Sequence, residues 1–167
     1  MNELRFRNDV LPLKDRLFRL ALRITFNRED AEDIVQETML RVWREMNEGD
    51  DIMNVEAFAM TVCRNLSLDN RVRLEQQNVS FTETLHDRPD TAQSPSEQLE
   101  QSEQIGQVHQ WLNQLPEKQR TAIQLRDIEG RSYKEIAEVM SISESDVKVN
   151  IFRARQKLKE KLNKQTL

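Results

Sequence analysis

The chain has 167 residues, enough for one domain or two small ones, of which 37% are hydrophobic and 32% charged. Three glycines, four prolines and few β-branched clusters leave strands little support, and the single cysteine, Cys63, excludes an internal disulfide framework. No apolar run approaches the ~20 residues of a membrane span, and the start Met1-Asn2-Glu3-Leu4-Arg5 has no signal-peptide core, so no membrane insertion and a cytoplasmic location are expected.

Helical periodicity begins near Pro12, where Leu13, Leu17, Leu20, Ala21 and Ile24 form one apolar stripe. It breaks at Asn27, whose amide can cap the next helix. From Arg28 to Met46 runs the strongest helical pattern in the chain. Its first turns hold Glu29, Asp30, Glu32 and Asp33, where the positive end of a helix favours carboxylates. Ala31, Ile34, Val35, Met39, Val42, Trp43 and Met46 are expected to face a core. A second, polar face carries Asp33, Gln36 and Glu37, and pattern alone reads it as a solvated surface. A polar loop around Gly49-Asp50-Asp51 leads to a third helix, about Glu56 to Leu74. Phe58, Val62 and Leu66 are expected inside it, with Arg64, Asn65, Asp69, Asn70, Arg71 and Arg73 on its other faces. Three such helices make a bundle of about 75 residues.

From Glu75 to about Gln93 the periodicity fades. Between residues 80 and 109 only Arg88 stands against Glu83, Asp87, Asp90, Glu97, Glu100 and Glu103, so a flexible acidic linker is expected here. Ser94-Pro95-Ser96-Glu97 then reads as a helix start, followed by Leu99, Ile105, Val108 and Leu112 as an apolar face. A helix from about Glu117 to Ile128 ends at Gly130, which suits a left-handed C-cap.

Two short helical patterns meet between Ser132 and Leu162. Ile136 and Met140 share one face in the first; Val147, Ile151, Ala154 and Leu158 form the stripe of the second. Ser143 is placed to cap the second helix, with Asp146 three residues on. This is the pattern of a helix-turn-helix, whose second helix enters the major groove, and equally of an ordinary helical hairpin. Charge favours the former: Lys148, Arg153, Arg155, Lys157, Lys159, Lys161 and Lys164 face one acid, Glu160. The net charge of −4 is thus unevenly spread, an acidic middle separating a mixed N-terminal half from a basic end. The fold class expected is all-α, two small helical domains with a C-terminal helix-turn-helix.

No catalytic constellation, glycine-rich phosphate loop or metal-ligand spacing appears, so neither an enzyme nor a cofactor is expected. Two segments, however, carry a resemblance. Asp30 to Trp43, D-A-E-D-I-V-Q-E-T-M-L-R-V-W, and Leu115 to Met140, with L-P-E-K-Q-R and L-R-D-I-E-G-R-S-Y-K-E-I-A-E-V-M, resemble the two signatures of the sigma-70 family. Phe152 to Leu158, F-R-A-R-Q-K-L, is similar to the end of the same pattern. The short two-domain form resembles the extracytoplasmic-function (ECF) sigma factors.

The resemblance implies a transcription initiation factor that binds RNA polymerase core at its clamp and directs it to promoter DNA. It implies domains at 1–75 and 95–167, with a linker at 76–94. Asp33, Gln36 and Glu37 match the family's clamp-binding helix. The −10 element would be read as unpaired bases by the loop Asn47–Val55, including Asn54, with Asn65 near the base pocket and Arg64 and Arg71 on phosphates. The −35 element would be read as duplex by Ser145, Lys148 and Asn150, with Arg153, Arg155 and Lys157 mainly on phosphates. The second helix departs from the family's frequent Gly-Thr-Val-Lys-Ser-Arg start, so no promoter sequence is carried over. An anti-sigma factor is a common partner in the family, though no residue here encodes one. Two rivals remain at this point: a stand-alone helix-turn-helix regulator, and a helical adaptor whose basic tail is merely solvated.

Overall fold

The computed structural model describes residues 2–49, 52–77 and 96–165, and among them no strand occurs. The first stretch is helical earlier than expected. Helix α1 (Asn2–Arg5) runs through a π turn at Phe6–Val10 and a 3-10 turn at Leu11–Leu13. Val10 and Leu13 are buried. The changing turn type hides this segment from any single-period reading, because its apolar positions do not recur every 3.6 residues.

Helix α2 (Lys14–Thr25) buries the expected stripe of Leu17, Leu20, Ala21 and Ile24. Phe26 ends it in the left-handed region, φ 61°, its N–H donating to Leu22 O at 2.9 Å. Asn27 then caps α3 (Arg28–Asn47), its Oδ1 accepting from Asp30 N at 2.9 Å. Ala31, Ile34, Val35, Val42 and Met46 are buried as expected, while Met39 and Trp43 are only half-buried. Trp43 instead meets the edge of Phe6, ring centroids 5.2 Å apart.

Helix α4 (Val55–Gln76) is capped by Asn54, whose Oδ1 accepts from Ala57 N at 3.0 Å. Its buried face differs from the expectation. Ala59, Met60, Cys63 and Ser67 lie inside, whereas Phe58, Val62 and Leu66 are half-buried at the rim. The small residues let α2 approach closely enough for Cys63 Sγ to lie 3.3 Å from Leu17 O. Larger side chains are displaced to the edges of that contact. Burial pushes the Cys63 thiol up to about 12, so it behaves as a small apolar residue.

The second half begins with α5 (Ser96–Gln114). Of its expected apolar face, Leu112 is buried, but Ile105 and Val108 are exposed. Helix α6 (Glu117–Ile123) continues as a π turn, Gln124–Ile128, and stops at Gly130, φ 70°, as the sequence predicts. Ser132 caps α7 (Tyr133–Met140), and Ser143 caps α8 (Glu144–Gln165), accepting from Asp146 N at 3.0 Å. Val147, Ile151 and Ala154 are buried against the helices before them, which makes α7 and α8 a helix-turn-helix.

The two halves pack on each other. One apolar cluster runs from Leu17, Leu20 and Met60 through to Leu125, Ile136, Met140 and Val147. Around it lies a polar seam. Glu129 accepts two bonds from Arg19, at 2.7 and 2.8 Å, and one from Gln124 at 3.1 Å. Arg23 donates to Gln124 at 2.8 Å and Asn113 at 2.9 Å, and to His109 Nδ1 at 2.7 Å. Glu56 takes Arg16 and Arg131, each at 2.7 Å. Phe26 lies between two guanidinium groups, Arg71 at 4.8 Å and Arg120 at 4.7 Å. The expected linker falls largely on residues 78–95, outside the described residues.

Candidate polymerase and nucleic-acid surfaces

The polar face of α3 is open. Asp33 and Gln36 are exposed, and Glu37 is half-buried with its Oε1 3.2 Å from Arg41 Nε. All three therefore share one accessible side of a helix whose other side is core. The sequence reading did not single out the apolar groove beside them, lined by Phe6, Leu11, Gln36, Met39, Leu40 and Trp43. Leu40 is 50% exposed there. Its signal was present as the pair Met39-Leu40, one apolar residue more than a single stripe needs.

The four residues expected at the −10 element are brought less closely together. Asn54 is spent as the cap of α4, although its side chain remains exposed to solvent on the loop. Asn65 is exposed on the face of α4. Arg64 is 7% exposed and held by the second half of the chain. Its Nη2 donates to Glu117 Oε1 at 2.8 Å, its Nε to Oε2 at 3.3 Å, and its Nη1 reaches Met140 O at 3.5 Å. Glu117 is fixed in turn by Thr121 Oγ1 at 2.5 Å. Arg71, half-buried, stacks on Phe26, and burial lowers its pKa from the ordinary arginine value.

On α8, Ser145, Lys148, Arg153, Arg155 and Lys157 are all exposed. Lys148 Nζ lies 5.5 Å over the Tyr133 ring, and Arg155 pairs with Asp127 at 2.5 and 3.1 Å. Hydrogen bonding to that carboxylate raises the Arg155 pKa, so its charge is secure. Asn150 is half-buried, with Nδ2 donating to Asp146 O of its own helix at 2.8 Å. The arrangement offers a duplex a cationic helix with its N-terminal turn open, which is what major-groove docking requires. Among the described residues no three His, Cys, Asp or Glu side chains converge as metal ligands would, and no helix is long and apolar enough to cross a membrane.

Comparison with known proteins assigns these halves. Residues 10–77 match the family Sigma-70 region 2, and residues 105–158 match Sigma-70, region 4. The chain is 33% identical over 156 residues to the ECF RNA polymerase sigma factor SigE of Mycolicibacterium smegmatis, covering 90% of this chain and 58% of that relative. It is 31% identical over 150 residues to the ECF sigma factor SigM of Bacillus subtilis, covering 89% of each. Among solved structures it is similar to the sigma factor RpoE of Bartonella quintana, determined with the anti-sigma factor NepR. That likeness has a TM-score of 0.74 at 26% identity, over 95% of this chain and 96% of that one. The chain belongs to the sigma-70 family, among the ECF RNA polymerase sigma factors, which are transcription initiation factors acting on promoter DNA with RNA polymerase and not enzymes.

Proposed function

We propose that this sigma factor holds the clamp of core polymerase with Asp33, Gln36 and Glu37 on α3, and meets the promoter with both halves. Asn54, Arg64, Asn65 and Arg71 engage the unpaired −10 strand. Ser145, Lys148, Asn150, Arg153, Arg155 and Lys157 on α8 engage the −35 duplex. The domains that go with this reading are 1–75 and 95–167, joined by 76–94, and the factor works in the cytoplasm. The supporting observation is that the α3 face and the α8 face are both open, one in each half of the chain. The family assignment is what sets a stand-alone regulator aside. An anti-sigma factor is a fitting further partner, as NepR is for the Bartonella quintana protein.

Scale requires the closed packing to be one state of two. A compact chain of this length has a radius of gyration of roughly 15 Å and a diameter of roughly 40 Å. Elements centred at −10 and −35 lie about 25 base pairs apart, roughly 85 Å at 3.4 Å per step. The halves must therefore part for both to be read at once. Arg64 can hold a phosphate only after releasing Glu117. Polymerase, by binding the open form more tightly, would shift the population.

The test is transcription with purified core polymerase. Asp33→Ala with Gln36→Ala is expected to leave helicity and melting nearly unchanged, since surface changes cost within about 0.5 kcal/mol. Core affinity should fall by tenfold or more, because a central interface contact is worth about 2 kcal/mol. Promoter-dependent transcript should fall with it. Full core affinity in the folded double variant would remove this face from the interface.

A further inference from the structure

The centre of the DNA-facing side of α8 is apolar. Val147, Ile151 and Ala154 are buried, so at 100° per residue the opposite side of the helix is Ser145, Val149, Phe152 and Gln156. Val149 is 43% exposed and Phe152 67%. Apart from Ser145 at the N-terminal end of this side, the polar candidates lie at the flanks or are occupied. Lys148 leans over Tyr133, Arg155 is paired with Asp127, and Asn150 bonds to its own helix. A bare aromatic ring at this place is costly in water and needs a partner when the helix is in use.

We infer that Val149 and Phe152 are specificity residues of the −35 reading, each packing against the C5-methyl group of a thymine in the major groove. The inference rests on the proposed reading of α8 as the duplex-facing helix. Duplex DNA is favoured as the occupant by the charge around the pair. Exposed Arg153 and Lys157 lie on the same helix, and Lys148 lies at its N-terminal end. Such a rim suits phosphates, not an apolar protein partner. Within the groove, base edges offer donors, acceptors and one apolar feature, the thymine methyl. Neither Val nor Phe can read a donor or an acceptor. Both gain by covering a methyl, and burying one such group changes affinity by about fourfold. Val149 and Phe152 are three residues apart, about 4.5 Å along α8 and close to one base-pair step. The two thymines should therefore be at adjacent base pairs, on either strand.

The experiment uses the full chain with purified core polymerase and a promoter library randomised across the −35 element. Selected promoters should be enriched in thymine at two neighbouring positions. Each of those thymines is then replaced by deoxyuridine, which removes the methyl and leaves every hydrogen-bonding group in place. Open-complex formation should weaken about fourfold at each position. Phe152→Ala should abolish uracil sensitivity at one position and Val149→Ala at the other, with circular dichroism confirming that α8 persists. The conservative Phe152→Leu should retain part of the sensitivity. Equal binding of thymine and uracil templates at every selected position overturns the inference, as does wild-type uracil sensitivity in both alanine variants. Absence of any promoter-directed transcript from the wild-type factor would instead sink the proposed function itself, and the inference with it.

Discussion

The interior of the N-terminal bundle and the seam between the two halves hold the chain together by different means. Inside the bundle, Leu17, Leu20, Ile24, Val42 and Met60 are buried among one another, and burial of this kind is non-directional and is not screened by salt. Along the seam, an apolar patch is ringed by Arg19–Glu129, Arg64–Glu117 and the Glu56 pair of arginines. Such contacts need geometry, weaken with salt, and can be exchanged for water or for another charged partner. Around Arg120 the fit is incomplete, since its buried Nε has no hydrogen-bond partner. Burial lowers the Arg120 pKa to about 10, a sign of how poorly water replaces that missing contact. A permanent core would have little reason to carry these groups. A seam that parts on a promoter, as proposed, would.

The largest expected effect comes from breaking the interior. Leu20→Ala leaves a void at a fully buried site and should lower unfolding free energy by about 2–5 kcal/mol. Denaturant unfolding measures it, and the loss should be the same at low and high salt. The seam should behave otherwise, and asymmetrically. The Glu129 side chain is 1% exposed, whereas Arg19 is 46% exposed. Arg19→Ala leaves a buried carboxylate with only the Gln124 amide donating to it and should cost about 2 kcal/mol, below the full 3–5 of a wholly buried, fully stranded charge. Glu129→Ala lets Arg19 return to solvent and should cost only about 1 kcal/mol. Equal costs for the two changes would mean that Glu129 is better hydrated than its burial indicates.

The sequence makes the interior legible and leaves the seam dark, for a physical reason. Stripes such as Leu17-Leu20-Ala21-Ile24 and Val147-Ile151-Ala154 repeat with the helix, and caps such as Asn27 and Ser143 precede their helices. Each is a local relation. The partners Arg19 and Glu129 stand 110 residues apart, and Arg64 and Glu117 stand 53 apart. No periodicity links them. The same limit explains α4, where the third helix meets neighbours on more than one side, so that small Ala59, Cys63 and Ser67 face inward in place of Phe58 and Leu66. It also explains Ile105 and Val108, which follow the rhythm of a buried face on a helix whose described residues are buried only in its last turn. The basic helix is readable because surface charge needs no partner in the chain. The polar face of α3, by contrast, reads from pattern alone as a solvated surface and takes its candidate role only from the family resemblance. What the sequence reading lacked was that Arg64, an expected phosphate ligand, is held by Glu117.

The Arg64–Glu117 pair also crosses the seam, and its loss should show in binding as well as in stability. Glu117→Gln keeps the side-chain shape and the hydrogen bond from Thr121 but removes the charge that retains Arg64. Arg64 is buried, so removing its counter-charge should cost about 2 kcal/mol, as for Arg19→Ala. Affinity of the free factor for single-stranded promoter DNA should rise several-fold, because Arg64 no longer has to be withdrawn from a carboxylate. Raising salt should narrow the difference between variant and wild type, since it weakens the pair in the wild type as well as the phosphate contacts. Unchanged strand affinity in Glu117→Gln would mean that Arg64 takes no part in reading the strand.

The smallest effect tests whether the seam responds to protons. Arg23 can only donate, so His109 Nδ1, 2.7 Å from Arg23 Nη2, must be the acceptor, with the ring proton on Nε2. Protonating Nδ1 would set a donor against a donor and a positive charge against another. Burial, with Arg23 adding to it, accordingly lowers the His109 pKa below its ordinary 6.5. Arg23 remains charged throughout this range, its own pKa being lowered by burial, with Arg120 adding to it, only to about 10. The sign then follows from linkage. Above pH 6.5 the histidine is neutral whether the halves are together or apart, and pH has no effect through it. As pH falls below 6.5 the separated state takes up the proton first, so the closed packing loses stability. The halves should therefore part more readily at pH 5.5 than at pH 7.5, measured as the distance between labels placed one in each half. His109→Gln, which cannot titrate and can still accept from Arg23, should flatten that dependence while leaving the neutral-pH distance unchanged. A pH response of equal size in His109→Gln would assign it to the seam carboxylates instead.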